Sequence, residues 1–164
     1  VILAWDRSRY PAPARFQIPR DERDVQLGVV ATLKAAGVLA FPVDAGFAKL
    51  RGRAAAVLAR SLAPESKAAL HGLGGGAAAG LPDVLGVLRP SGRCVAVEVK
   101  RPELIERAGN GWRRLRAPGR ISADQAAWLT SLERVGALVC VAWDERDVEE
   151  MLGLAGRLDA EARR

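Results

Sequence analysis

Apolar residues between Asp21 and Ala36 recur every three to four positions. Val25, Val29, Val30 and Leu33 form one stripe, and that spacing predicts a helix. Gly37 follows as a closing glycine. Val38 to Val43 is a short apolar run of strand length. Val84 to Leu88 and Arg93 to Val99 predict two more strands, and Pro90-Ser91-Gly92 between them predicts a hairpin turn. Ser122 to Val135 predicts a helix that opens on a capping box, Ser122 with Gln125, and closes at Gly136. Its stripe is Trp128, Leu129, Leu132 and Val135. Ala137 to Trp143 predicts a last core strand, and 144–164 an amphipathic helix carrying Val148, Met151, Leu152 and Leu158. The resulting order, α-β-β-β-α-β-α, is of the α/β class and contains no internal repeat.

The remaining segments predict no core element. Residues 1–20 carry Pro11, Pro13 and Pro19 with Trp5, Tyr10 and Phe16, an N-terminal arm that can lie against the domain or a partner. Residues 44–53 are a basic loop, and 54–70 are a helical segment interrupted at Pro64. His71 to Gly80 is glycine-rich and lacks the Gly-Lys-Ser/Thr ending of a phosphate-binding loop. Residues 101–120 are expected as a loop with six arginines against Glu103 and Glu106. The expected organisation is one domain over 21–164, with basic insertions at about 44–80 and 101–121.

Composition narrows the class. A chain of 164 residues suits one core, and with 5% aromatic residues that core is mostly Val, Leu and Ala. Basic residues number 25 and acidic ones 19, a net charge of +6, and 21 of the cations are Arg. Arginine matches phosphate oxygens, so a polyanion partner fits; a bias toward Arg, Ala and Gly accounts for the same count. Cys94 and Cys140 each lie in an apolar run, and His71 is the sole histidine, so no zinc is expected. Reduced buried thiols suit a cytoplasmic protein, or the host cytoplasm or nucleoid if the source is viral. No apolar stretch reaches 18 residues, so no membrane partner is expected. The opening Val1-Ile2-Leu3-Ala4-Trp5-Asp6 is too short and too soon acidic for a signal peptide.

Candidate chemistry lies on the hairpin. Along 93–99, side chains alternate faces, so Val95, Val97 and Val99 point one way. Cys94, Ala96, Glu98 and then Lys100 point the other. Asp83 opens the partner strand, and the start of one hairpin strand lies near the end of the other. Asp83, Glu98 and Lys100 are therefore expected to converge. Two carboxylates bind Mg²⁺ or Mn²⁺ through hard oxygens, with the Val99 carbonyl as a further ligand. Such a cation activates water and neutralises phosphate charge, while a lysine orients the water or stabilises developing charge. In the first helix, Glu22 projects onto the apolar stripe, where a carboxylate needs a partner. Asp21 and Asp24 suit a helix N-terminus instead.

A bare Glu-x-Lys is common, and the whole string is more specific. Gly80-Leu81-Pro82-Asp83, Glu98-Val99-Lys100-Arg101-Pro102, Ser122-x-x-Gln125-x-x-Trp128-Leu129 and Gly136 together resemble the PD-(D/E)xK nuclease superfamily. The resemblance is closest to its VRR-NUC branch and to archaeal-type Holliday junction resolvases, and runs from about Glu22 to Leu152. It implies a restriction-endonuclease-like core, a central mixed sheet flanked by helices. It also implies metal ligation by Asp83 and Glu98, a catalytic Lys100, a matching first-helix acid in Glu22 and a site-supporting Gln125. Gln125 also serves the capping box, and both readings stand. The stretches 46–80 and 100–122 are longer than the family's, and Asp44-Ala45-Gly46 stands where relatives often carry Asn before the glycine.

Both long stretches are basic. Lys49, Arg51 and Arg53 lie in one; Arg101, Arg113, Arg114, Arg116 and Arg120 lie in the other. They are candidate phosphate contacts. Trp112 beside them can stack on a base or wedge a junction, or can anchor its loop to the domain. The resemblance with the basic loops implies a metal-dependent, structure-selective DNA endonuclease acting on branched or duplex DNA. A four-way-junction resolvase leads, and two symmetric cuts would call for a homodimer. A VRR-NUC flap, nicking or restriction-like nuclease and a DNA-binding scaffold are the alternatives.

Overall fold

A computed structural model describes residues 15–16, 19–43 and 80–162. The expected basic loop over 44–53, with Lys49, Arg51 and Arg53, the helical segment over 54–70 and the glycine-rich stretch up to residue 79 lie outside the described residues. In chain order the elements are β1 (Arg15–Phe16), α1 (Glu22–Ala35), β2 (Val38–Pro42), β3 (Val84–Leu88) and β4 (Arg93–Val99). They continue with β5 (Glu103–Ala108), β6 (Gly111–Arg116), α2 (Ala123–Arg134), β7 (Leu138–Ala142) and α3 (Glu145–Ala162).

The main sheet has the order β2-β3-β4-β7. β2 with β3 and β3 with β4 are antiparallel, while β4 and β7 run parallel, so the sheet is mixed. The α/β class with a central mixed sheet flanked by helices is therefore what the chain adopts, consistent with a restriction-endonuclease-like fold.

Strand alternation divides the core in two. Val95, Val97 and Val99 of β4 pack with Val25, Val29 and Leu33 of α1 and with Val148 and Met151 of α3. Cys94 and Ala96 face the opposite layer, with Leu129 and Leu132 of α2. β4 is covered on both faces and paired on both edges. That is why its polar end, Glu98-Val99-Lys100, enters the interior: six of the strand's seven residues and Lys100 are buried. Both cysteines are buried, and burial pushes the Cys94 thiol up to about 12.

Local chemistry sets the helix starts. Asp21 caps α1 in a capping box with Asp24. Ser122 caps α2, its hydroxyl accepting the Gln125 amide at 3.2 Å and Gln125 Oε1 accepting the Ser122 amide at 2.8 Å. Asp144 and Asp147 cap the start of α3, accepting amides of Arg146 and of Trp143 at 3.0 and 2.7 Å.

The stretch expected as a loop over 101–120 is instead a second sheet. β5 and β6 form an antiparallel hairpin, and β1 joins β5 in parallel to give the order β1-β5-β6. Gly109, at φ 57°, begins the two-residue turn between Ala108 and Gly111. The element order predicted from periodicity is thus complete for the main layer and lacks β1, β5 and β6. No helix among the described residues is long and apolar enough to cross a membrane.

Candidate active site

The β3–β4 register places Val84 opposite Val97, so Asp83 stands one step on, across from Glu98. Directly opposed residues of an antiparallel pair project to the same face. Asp83 is held from three sides. Its Oδ2 accepts the Val99 amide at 2.7 Å, and its carbonyl accepts both the Val43 amide at 2.7 Å and Gln26 Nε2 at 3.1 Å. The end of β2, the first helix and β4 all converge on this residue.

Glu98 is fully buried. Its Oε1 accepts from Lys100 Nζ at 2.5 Å and from Gln125 Nε2. Its Oε2 is buried and has no hydrogen-bond partner. Burial, and next the neighbouring Asp83 charge, push the Glu98 carboxyl up to about 8, against the opposing pull of Lys100. Two close carboxylates and an orphaned buried oxygen form a site that favours a cation.

Lys100 is also buried. Its amide donates to the Ala142 carbonyl at 2.8 Å, which locks it beside β7. Gly119 packs against its side chain: a Cβ built there would meet Lys100 Cβ at 3.3 Å and the Arg101 amide nitrogen at 3.2 Å. Trp143 Nε1 donates to the Gly119 carbonyl at 2.8 Å and holds that segment in place.

Gln125 makes both contacts open to it, one with each of its two side-chain amide atoms. Oε1 completes the α2 capping box, and Nε2 reaches Glu98. Gly80 makes this approach possible. It takes φ +92°, and a Cβ there would lie 2.8 Å from the Asp124 backbone carbon and 2.9 Å from the Gln125 nitrogen.

Glu22 departs from its expected place. It is exposed in the first turn of α1, and the buried stripe begins at Val25. The whole first turn, residues 21–24, is exposed, so angular position alone does not bury Glu22. One turn further, the half-buried Gln26 makes the contact to Asp83 that sequence reasoning missed. Its available signal was a polar residue between Val25 and Val29, bordering the stripe.

The arginines expected at phosphate are differently disposed. Arg113 pairs with Glu106 and Arg114 with the buried Glu103. Arg116 Nη2 donates to the Arg20 carbonyl at 2.6 Å. Arg101 and Arg120 are exposed. Trp112 is exposed too, at 51%.

Among the described residues no group of three or more His, Cys, Asp and Glu gathers as a metal cluster. The oxygen donors at hand are Asp83, Glu98 and the Val99 carbonyl. They suit a hard divalent cation that completes its shell with water and substrate oxygens.

No curated protein and no solved structure gives a significant match to the chain. The VRR-NUC domain family matches residues 43–143, more than half of the chain, a span that includes Asp83, Glu98, Lys100 and Gln125 and leaves Glu22 and Gln26 outside. With a PD-(D/E)xK-type site on a mixed sheet, the chain belongs to the VRR-NUC family of nuclease domains.

Proposed function

We propose that the protein is a metal-dependent, structure-selective DNA endonuclease, and within that class a four-way-junction resolvase. The carrying observation is Glu98 Oε2, buried without a partner beside Asp83. The fold already commits its other oxygen to Lys100 and Gln125.

Asp83 and Glu98 would hold Mg²⁺, or Mn²⁺ in its place, with the Val99 carbonyl as a third donor. The cation, when bound, supplies an activated water and charge neutralisation at the scissile phosphate. Lys100 holds a proton-bearing nitrogen at Glu98 Oε1, placed to orient the attacking water and to offset charge that develops on phosphate. Gln125 holds Glu98 in one orientation, and Glu22 at the exposed start of α1 is a candidate outer ligand. Arg101 and Arg120, with Arg113, Arg114, Arg116 and the basic residues Lys49, Arg51 and Arg53, would contact phosphates without reading sequence. A junction has two equivalent strands to cut, so the working form would be a C2 homodimer.

The test is digestion of a synthetic four-way junction with and without Mg²⁺, beside linear duplex and flap substrates. The expected result is paired symmetric nicks at the junction that require the metal. Equal cutting of linear duplex removes the resolvase reading, and preferential flap cutting moves the assignment to a flap nuclease.

A further inference from the structure

The β5–β6 hairpin leaves the main sheet immediately after Lys100 and returns to it at Gly119, whose backbone packs on Lys100. Both of its ends are therefore fixed at the catalytic lysine. Its outer strand, β6, is an edge strand and is exposed from Gly111 to Leu115. Two large apolar side chains stand on that edge, Trp112 at 51% exposure and Leu115 at 49%. Isolated exposed apolar residues are ordinary, but an indole costs more to leave in water than most side chains. Here Trp112 lies directly across from the exposed Arg107, with Arg113 and Arg114 following it.

The charge around these residues selects the occupant. From 101 to 120 there are six arginines against two glutamates. A second copy adding strand to strand at β6 would set these arginines against one another. A polyanion with flat apolar faces meets both features, since its phosphates answer the arginines and its bases answer the indole. The Arg113–Glu106 pair is solvent-exposed, so phosphate can compete for it.

We infer that the β5–β6 hairpin reads DNA structure by stacking Trp112 on a base unpaired at a branch point. This rests on the nuclease reading for its substrate and adds the element that selects branched over linear DNA. It also sets a distance. From Lys100 to Arg107, the residue opposite Trp112, is seven residues, at most about 23 Å of strand.

The experiment uses the full chain in EDTA, so that binding is read apart from cutting. The probes are a splayed-arm DNA with 2-aminopurine at the branch and a linear duplex of equal length. Wild type is expected to prefer the branched probe and to change its 2-aminopurine fluorescence. Trp112→Ala should reduce that preference about tenfold and remove the fluorescence change, while Trp112→Phe retains most of both. Two results would overturn the inference: a wild type without branch preference, or a Trp112→Ala protein that keeps it, whatever the substitution does to the oligomeric state. Cleavage of the same probes with Mg²⁺ then tests the nuclease reading separately. A wild type that binds branches and cuts nothing refutes that reading and leaves the hairpin assignment standing.

Discussion

Gln125 donates its side-chain amide to the buried Glu98, while its side-chain carbonyl accepts the backbone amide of Ser122 at 2.8 Å. One residue thereby fixes the start of α2 and the orientation of a candidate metal ligand. The two contacts can be separated. Ser122→Ala removes the hydroxyl half of the capping box, should cost about 1 kcal/mol of stability and should leave cleavage close to wild type. Gln125→Glu keeps an oxygen for the cap but replaces the donor to Glu98 with a second carboxylate. It should lower the cleavage rate at least tenfold at a similar Tm. Equal rates for Gln125→Glu and Ser122→Ala would confine Gln125 to capping.

The Glu98 carboxyl gives the metal-free protein a pH dependence. Its pKa rises from 4.5 to about 8 on folding, through burial first and the Asp83 charge second. Between those values the folded chain holds a proton that the unfolded chain has released. The stability associated with that proton is fully present below about pH 4.5 and is lost as pH rises through about 8. Urea unfolding in EDTA across this window should show that decline, and Glu98→Gln should flatten it. A wild-type slope unchanged by Glu98→Gln would assign the decline to other groups.

A divalent cation should reverse the trend, because it binds the ionised form. Saturating Mg²⁺ or Mn²⁺ should raise the Tm, more at pH 8 than at pH 6, and by an increment that grows with metal concentration. Asp83→Asn or Glu98→Gln should abolish the increment. Glu98→Ala should also abolish cutting while leaving DNA binding largely intact. It leaves the buried Lys100 without its acceptor, so a loss of stability is expected as well. Unchanged cutting by Glu98→Ala would refute the site.

Gln26 carries a prediction that does not involve the side chains of the candidate metal ligands. Its amide holds the Asp83 carbonyl at 3.1 Å. Gln26→Leu preserves size and helix propensity and should lower metal affinity several-fold with little change in circular dichroism. Metal titration followed by Tm reads this directly, and a wild-type titration curve would remove Gln26 from the site.

Gly80 is expected to tolerate no side chain. Its φ is +92°, and a Cβ would press on the backbone at Asp124 and Gln125. Gly80→Ala should cost about 1–3 kcal/mol and should also impair cleavage, because relief of the clash moves Gln125 away from Glu98. A variant with wild-type Tm and activity would contradict the close approach.

The elements legible in the sequence were those whose evidence is local. The two-residue period of β4 separated Val95, Val97 and Val99 from Cys94, Ala96 and Glu98, and the two core layers follow that division. The hairpin turn then brought Asp83 across from Glu98. The Ser122–Gln125 capping box and the closing glycines gave helix limits within a residue of those found. The β5–β6 hairpin was missed although Gly109-Asn110 is a turn signal. Its strands are rich in arginine and lack an apolar face, and their stability comes from pairing with each other and with the distant β1.

Sequence by itself determined which residues could share a face, because backbone geometry fixes the period of strands and helices regardless of context. Only the tertiary structure decided which of those faces are covered. It left Glu22 exposed and brought Gln26 to Asp83. It closed both sides of β4 over Glu98, and it joined Gln125 to that carboxylate across 27 residues. Burial, and with it the raised Glu98 pKa and the unpartnered oxygen that favours a cation, depends on elements far apart in the chain packing together. No local pattern encodes that packing.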